Sequence, residues 1–257
     1  MAPTTPEGDD TPPRAADIVV PMGVVAALLA LLMLAVAGPG YRLGLWPFRT
    51  GFTVLGWAAW LGLGASGVSS LGAFLARRVQ PRTRVWAALS GAVLGIAVAV
   101  IPWYWQQTAT RLPYIHDITT DTNDPPVFVT LLAARAGAPN SADYGGRKLA
   151  VLQKAAYPDI TSKVLDLPAD QAFARVQAAA HSLGWDVAAL VAAEGRLEAI
   201  DTTTWFGFKD DVVVRVRALD GERPRSQVDV RSVSRIGRSD LGANARRIRA
   251  FLGELTE

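Results

Sequence analysis

VWAALSGAVLGIAVAVIPWYW, residues 85–105, carries no charged side chain over 21 positions. At 1.5 Å per residue it is long enough to cross a bilayer as a helix. Its position divides the chain. Two further apolar runs lie before it, at 18–37 and 52–75, and a mixed polar sequence of ordinary composition follows it. The pattern predicts a three-helix membrane module and then a water-soluble domain.

Charge follows the same division. Seven of the 26 basic residues and four of the 23 acidic ones precede Gln106, leaving 19 of each after it. The basic surplus therefore belongs to the membrane flanks and gives no argument for nucleic acid. Arg77, Arg78, Arg82 and Arg84 crowd the second loop, against Arg42 and Arg49 in the first. The positive-inside rule places the four-arginine loop in the cytoplasm. Parity then puts the N-terminus inside and everything after residue 105 outside, which for a bacterial inner membrane is the periplasm. Trp46, Trp103, Tyr104 and Trp105 fall at span ends, where amphipathic rings favour the interface.

The first run ends in Ala35-Val36-Ala37, a small-residue pattern suited to signal cleavage. Its acidic flank and its length favour an uncleaved span, and cleavage would leave the sidedness of the C-terminal half unchanged. Residues 1–17 are rich in Pro, Thr and acids and read as a disordered tail. Ala58, Gly62, Ser66 and Ser70 recur every four residues in the second span, as do Ala87, Gly91, Gly95 and Ala99 in the third. Such rows permit close backbone approach, so these spans are expected to pack together along them. No span holds an ionisable residue, which argues for an anchor rather than a conduit.

Residues 106–162 read as an extended, proline-marked strap with two short helical patches at 127–136 and 147–156. Residues 163–257 then give strands at 163–167, 185–191, 196–203, 211–219 and 226–235. One helix is opened by Pro168 and closed by Gly184, and a last helix starts near Leu241, capped by Ser239 or Asp240. The predicted fold class is α+β: an antiparallel sheet, in the order β-α-β-β-β-β-α, with two helices on its apolar face. In the 211–219 and 226–235 pair, joining the valine faces gathers Arg215, Arg217, Asp229, Arg231 and Arg235 on the other face. That face is expected to be a charged ladder with too few acids to neutralise it.

Four blocks resemble the DUF1499 family in order: PYIHDITTDTNDPPVF, YGGRKLAVLQKAAYPDI, EAIDTTTWFGFKDDVVVRV and VDVRSVSRIGRSDLGANARRIRAFL. The resemblance implies an envelope protein with a hydrophobic N-terminal segment and transfers no catalytic residue.

Motifs for phosphate loops, dinucleotide binding, zinc proteases and serine hydrolases are missing from the sequence, and it has no cysteine. His116, Asp117, Asp121, Asn123 and Asp124 cluster in the strap, but their spacing does not follow a calcium loop. No catalytic residue, metal or cofactor is assigned. Two stretches carry the candidate binding residues. The first is TWFGFKDD, read either as a hairpin connection whose rings cap the sheet end or as a ligand lip made by Trp205, Phe208 and Lys209. The second is the guanidinium-rich set Arg215, Arg231, Arg235, Arg238, Ser239 and Arg247 around the start of the last helix, which suits an anion, although the equal acid and base counts favour an internal salt-bridge network with Asp201, Asp210, Asp211, Asp229 and Asp240. The leading expectation is a non-enzymatic, membrane-anchored periplasmic domain that binds an anionic ligand or an envelope protein. The alternative is an envelope hydrolase using Asp and Arg groups near 204–211. Partners are otherwise the lipid bilayer, with oligomeric state open.

Overall fold

A computed structural model describes residues 15–78 and 81–255. The chain forms two compact units, residues 1–106 and 107–257. Residues 1–14, most of the expected tail, lie outside the described residues, whereas residues 15–17 already belong to the first helix.

The first unit contains α1 (Ala15–Arg42), α2 (Phe48–Ala76) and most of α3 (Arg82–Arg111). All three are long and apolar enough to cross a membrane. Their inward faces are mostly small residues, with Val20, Leu34, Leu55 and Val98 among them, and their outward faces are bulky. Ala27, Ala30, Ala58, Ala88 and Gly95 are buried, while Trp57, Trp60, Trp86 and Trp103 point outward. Outward aromatic and aliphatic groups suit lipid, and inward small ones let the backbones touch. At Gly62 and Gly95 a Cβ would lie 2.6 and 2.3 Å from the other's carbonyl oxygen. The expected rows thus meet at their centre. Ser70 and Ala87, at the row ends, face outward, and Ser69 and Ala88 take their places. A four-residue step advances a 3.6-residue helix by about 40°, so a strict row drifts off the contact within three steps. Ser69 also sits against Gly23 of α1 and Gly91 of α3, which makes it a three-helix node.

The second unit is a six-stranded antiparallel sheet. Its strands are β1 (Asp117–Thr119), β2 (Lys163–Leu165), β3 (Asp186–Val191), β4 (Arg196–Thr202), β5 (Lys209–Leu219) and β6 (Arg225–Ser234). The order is β1-β6-β5-β4-β3, and β2 also pairs with β6. Thus β1 and β2 share one edge of β6, opposite residues 231–233 and 226–228 respectively. The expected element order stands, with β1 added from within the strap.

Two helices cover one face: α6 (Ala169–Ser182) and α7 (Ala243–Glu254). Val212, Val214, Val216, Val228 and Val230 pack there against Phe173, Val176, Ala180, Ile248 and Phe251. Trp185 stacks on Phe251 at 5.1 Å. Gly184, at φ +70°, ends α6, and Trp185 N–H returns to the Ala180 carbonyl at 3.0 Å, a Schellman closure. Asp240 starts α7 by accepting from the N–H groups of Gly242 and Asn244 at 2.9 and 2.8 Å.

The strap covers the other face. Phe128 and Leu131, the latter opening the single turn α4 (Leu131–Ala134), pack on Val213 and Val233. The Glu198 carboxylate is fully buried and accepts from the N–H groups of Val129, Thr130 and Leu131 at 3.0, 3.0 and 2.8 Å. Beyond β1 lies α5 (Gly146–Ala156). The buried side-chain amide of its Gln153 donates to the Thr119 carbonyl at 2.6 Å and accepts from the Thr119 N–H at 3.0 Å. It serves β1 as a neighbouring strand would.

Candidate functional site

The register places Arg215 opposite Asp229 and Arg231 opposite Val213. The arginines therefore gather on the strap side of the sheet, as the valine alternation requires. The acids missing from the two strands are supplied by the strap. Arg231, 1% exposed, donates from Nε and Nη2 to Asp117 at 2.9 and 2.8 Å. It also donates to the carbonyls of Pro126 and Ala142 at 3.2 and 2.8 Å. The rings of Phe128 and Tyr144 flank its guanidinium, each at 5.5 Å. Burial pushes the Tyr144 phenol up to about 12, so it stays neutral.

Arg215 and Arg217 converge on three carboxylates. Their distances are 3.0 and 3.1 Å to Asp229, 3.4 and 3.3 Å to Asp121, and 3.1 and 2.8 Å to Asp124. Arg235 forks onto the fully buried Asp211, which also binds Arg135. On the helix side, Arg247 joins Asp201 and Asp210 at 2.6 and 2.7 Å. Asn244 beside it links Ser232, Ser234 and the His116 carbonyl. Of the arginines singled out from sequence, Arg215, Arg231, Arg235 and Arg247 thus spend their charge inside the domain. These pairs hold the strap and α7 onto the sheet.

Arg238 differs. It is exposed and lies over the Tyr114 ring at 5.3 Å. Ser239 accepts from the Leu241 N–H at 3.3 Å. Burial pushes the Asp240 carboxyl above its usual value, against the pull of the Asn244 and Gly242 N–H groups.

The expected aromatic lip is a closed turn. Thr203 N–H donates to the Phe208 carbonyl at 2.9 Å, and Phe208 N–H to Thr203 Oγ1 at 2.9 Å. Phe206 is buried and stacks on Phe208 at 5.2 Å, with Trp205 at its edge. The rings cap the sheet end, and Lys209 alone of the three expected contact residues is exposed. Asp210 and Asp211, which an enzyme at this turn would use, are the carboxylates bound by Arg247, Arg135 and Arg235.

The sequence did not point to a groove of about 490 Å3 between the start of the strap and α5. Tyr114, Leu149 and Leu152 form apolar wall, and His116, Asp143 and Lys148 are polar groups on it. Arg238 joins this side through Tyr114. Among the described residues, no group of three or more metal-ligating side chains is gathered.

The family described as a protein of unknown function (DUF1499) matches residues 117–255, from the first residue of β1 past the end of α7. This chain belongs to DUF1499. The match takes in the sheet, both helices and every ion pair described above for the second unit. The DUF1499 domain is thus the sheet together with its strap, and the strap's Asp117, Asp121 and Asp124 are integral to it. No curated protein matches the chain, and no solved structure does.

Proposed function

We propose that this membrane-anchored DUF1499 protein displays its α+β domain on the periplasmic side of a bacterial inner membrane. There it acts as a binding module for an anionic ligand or an envelope protein partner. Two observations support the sidedness: three helices of spanning length, and four arginines in the second loop against two in the first.

One observation carries the binding role. The domain's buried arginines are met by buried or half-buried acids, while cations remain exposed beside an open, apolar-walled groove. Lys148 and Arg238 are those cations, and Lys209 is a further exposed one at the sheet end. A desolvated, acid-paired guanidinium has little left for a ligand, whereas an exposed cation at a groove rim steers and holds anions.

An alkaline phosphatase fused after Glu257 should be active, and a fluorescent protein fused there dark. The opposite pattern removes the periplasmic placement. Binding is tested on the full chain in neutral detergent with dextran sulfate as a polyanion. Lys148→Glu/Arg238→Glu should weaken binding at least tenfold, with Glu222→Lys as a surface control. Equal affinity for the double variant and the parent would refute the groove as the anion-binding site.

A further inference from the structure

The helix α5 has an unusual exposed face for a helix packed on a folded domain. Its sequence, GRKLAVLQKAA, has three cations and no acid. Its one buried residue is Gln153, which is held by Thr119. The opposite stripe runs Lys148, Val151, Leu152, Ala155, at i, i+3, i+4 and i+7, and all four are exposed. Val151 is 61% and Leu152 51% exposed. Arg147 and Lys154 flank the stripe and are exposed too. Tyr114, 64% exposed, extends the apolar surface across the groove, with Arg238 over its ring.

Two large aliphatic groups, a tyrosine and four cations share this surface. The groove's acids are buried Asp117, consumed by Arg231, and exposed Asp143, whose charge the 3.0 Å hydrogen bond from Ser141 Oγ does not cancel, so the four cations still outnumber the acids of this surface. This composition matches one partner chemistry. A bilayer interface accepts aliphatic tips and a phenol at headgroup depth, while lysine and arginine stems snorkel to phosphates. A soluble polyanion would satisfy the cations and leave Val151 and Leu152 in water. The chain is also tethered by α1–α3, so a bilayer is always within its reach.

We propose that the exposed stripe of α5, with Tyr114 and Arg238, docks on an anionic phospholipid surface. This deepens the anionic-partner reading by naming the partner, and it does not depend on which side of the membrane the domain occupies. Docking would turn the Tyr114–Leu152 groove toward headgroups and make the domain's position respond to the anionic lipid content.

The absence of cysteine allows a single reporter. A nitroxide on Ala155→Cys keeps Val151 and Leu152 intact, and one on Glu222→Cys, in the β5–β6 turn, is the distant control. The full chain is reconstituted in phosphatidylcholine nanodiscs with and without phosphatidylglycerol. Collision with oxygen reports lipid, and collision with a water-soluble nickel chelate reports water. With phosphatidylglycerol the label at 155 should gain oxygen and lose nickel accessibility, while that at 222 stays water-like. Lys148→Glu/Lys154→Glu should reverse the change, since each lost cation lowers the docked-to-free ratio about fivefold. The label at 222 keeps its line shape if the variant is folded.

A label at 155 that stays water-accessible in phosphatidylglycerol discs overturns the proposal. So does one shielded from both reagents in either disc, the result expected if a second copy covers α5. Dextran sulfate binding that survives while docking fails would keep the broader reading and discard this one.

Discussion

Replacing Asp117 by Asn tests whether the strap is held by charge. Asp117 is 4% exposed and accepts two of the hydrogen bonds of Arg231, itself 1% exposed. The asparagine side chain is nearly isosteric with the aspartate but presents an amide N–H2 to a guanidinium that has no water to turn to. Breaking one partner of a buried pair costs about 3–5 kcal/mol. The carbonyls of Pro126 and Ala142 still accept from Arg231, which argues for the lower end, about 3 kcal/mol. With a urea slope of about 2 kcal/mol/M, the midpoint should fall by roughly 1.5 M. Pulse proteolysis of the full chain in detergent and urea reads the folded fraction of the domain without relying on its many tryptophans. The double variant Asp117→Asn/Arg231→Met should lose clearly less than the two single losses added, because no charge is then left buried. A shift under about 0.3 M for Asp117→Asn, or strict additivity in the double, would refute the assignment of this pair as the strap's clasp.

In the membrane unit, Gly95→Ala puts a Cβ 2.3 Å from the Gly62 carbonyl oxygen and should cost about 1–3 kcal/mol, lowering the thermal midpoint in detergent. Gly64→Ala, with open space around its Cβ position, should not. Gly195 combines φ +59° with a Cβ position 2.2 Å from the Val216 carbonyl oxygen, so Gly195→Ala should destabilise the domain by at least about 1–2 kcal/mol in the same proteolysis assay. Because burial raises the folded carboxyl of Asp240, its contribution to stability is fullest at low pH and is lost as pH rises through the raised folded value. The melting temperature of Asp240→Asn minus that of the parent should therefore climb as pH rises above the ordinary aspartate value of about 4, on top of whatever constant loss the weaker cap brings.

The membrane helices, the β5–β6 pair and both covering helices were legible because each rests on local periodicity and punctuation. Residues 85–105 have no charge, Val212, Val214 and Val216 alternate, and Gly184 stops α6. What stayed hidden depends on long-range contact. β1 is three residues in a proline-marked segment, and it is a strand only because β6, over 100 residues later, pairs with it. The apparent excess of arginine on β5 and β6 came from counting acids within the two strands, while Asp117, Asp121 and Asp124 arrive from the strap. For Trp205 and Phe208 the sequence allows both a ring cap on the sheet end and a contact lip, because aromatic residues in a turn are ambiguous until their stacking is seen. The exposed stripe of α5 does have a local signature, two aliphatics among unopposed cations, but periodicity alone marks it only as a short helix and does not say which face is left uncovered.

The side chain of Gln153 has a bearing on how crowded this protein can be. An outermost strand normally offers its neighbours a row of unsatisfied peptide groups, and chains confined to a plane meet edge to edge far more often than chains in free solution. By occupying both peptide groups of Thr119, one carboxamide removes that invitation from the β1 stretch of the border, while β2, which shares the border, is not covered by it. Edge-to-edge pairing of neighbouring domains through β1 is thereby blocked at Thr119.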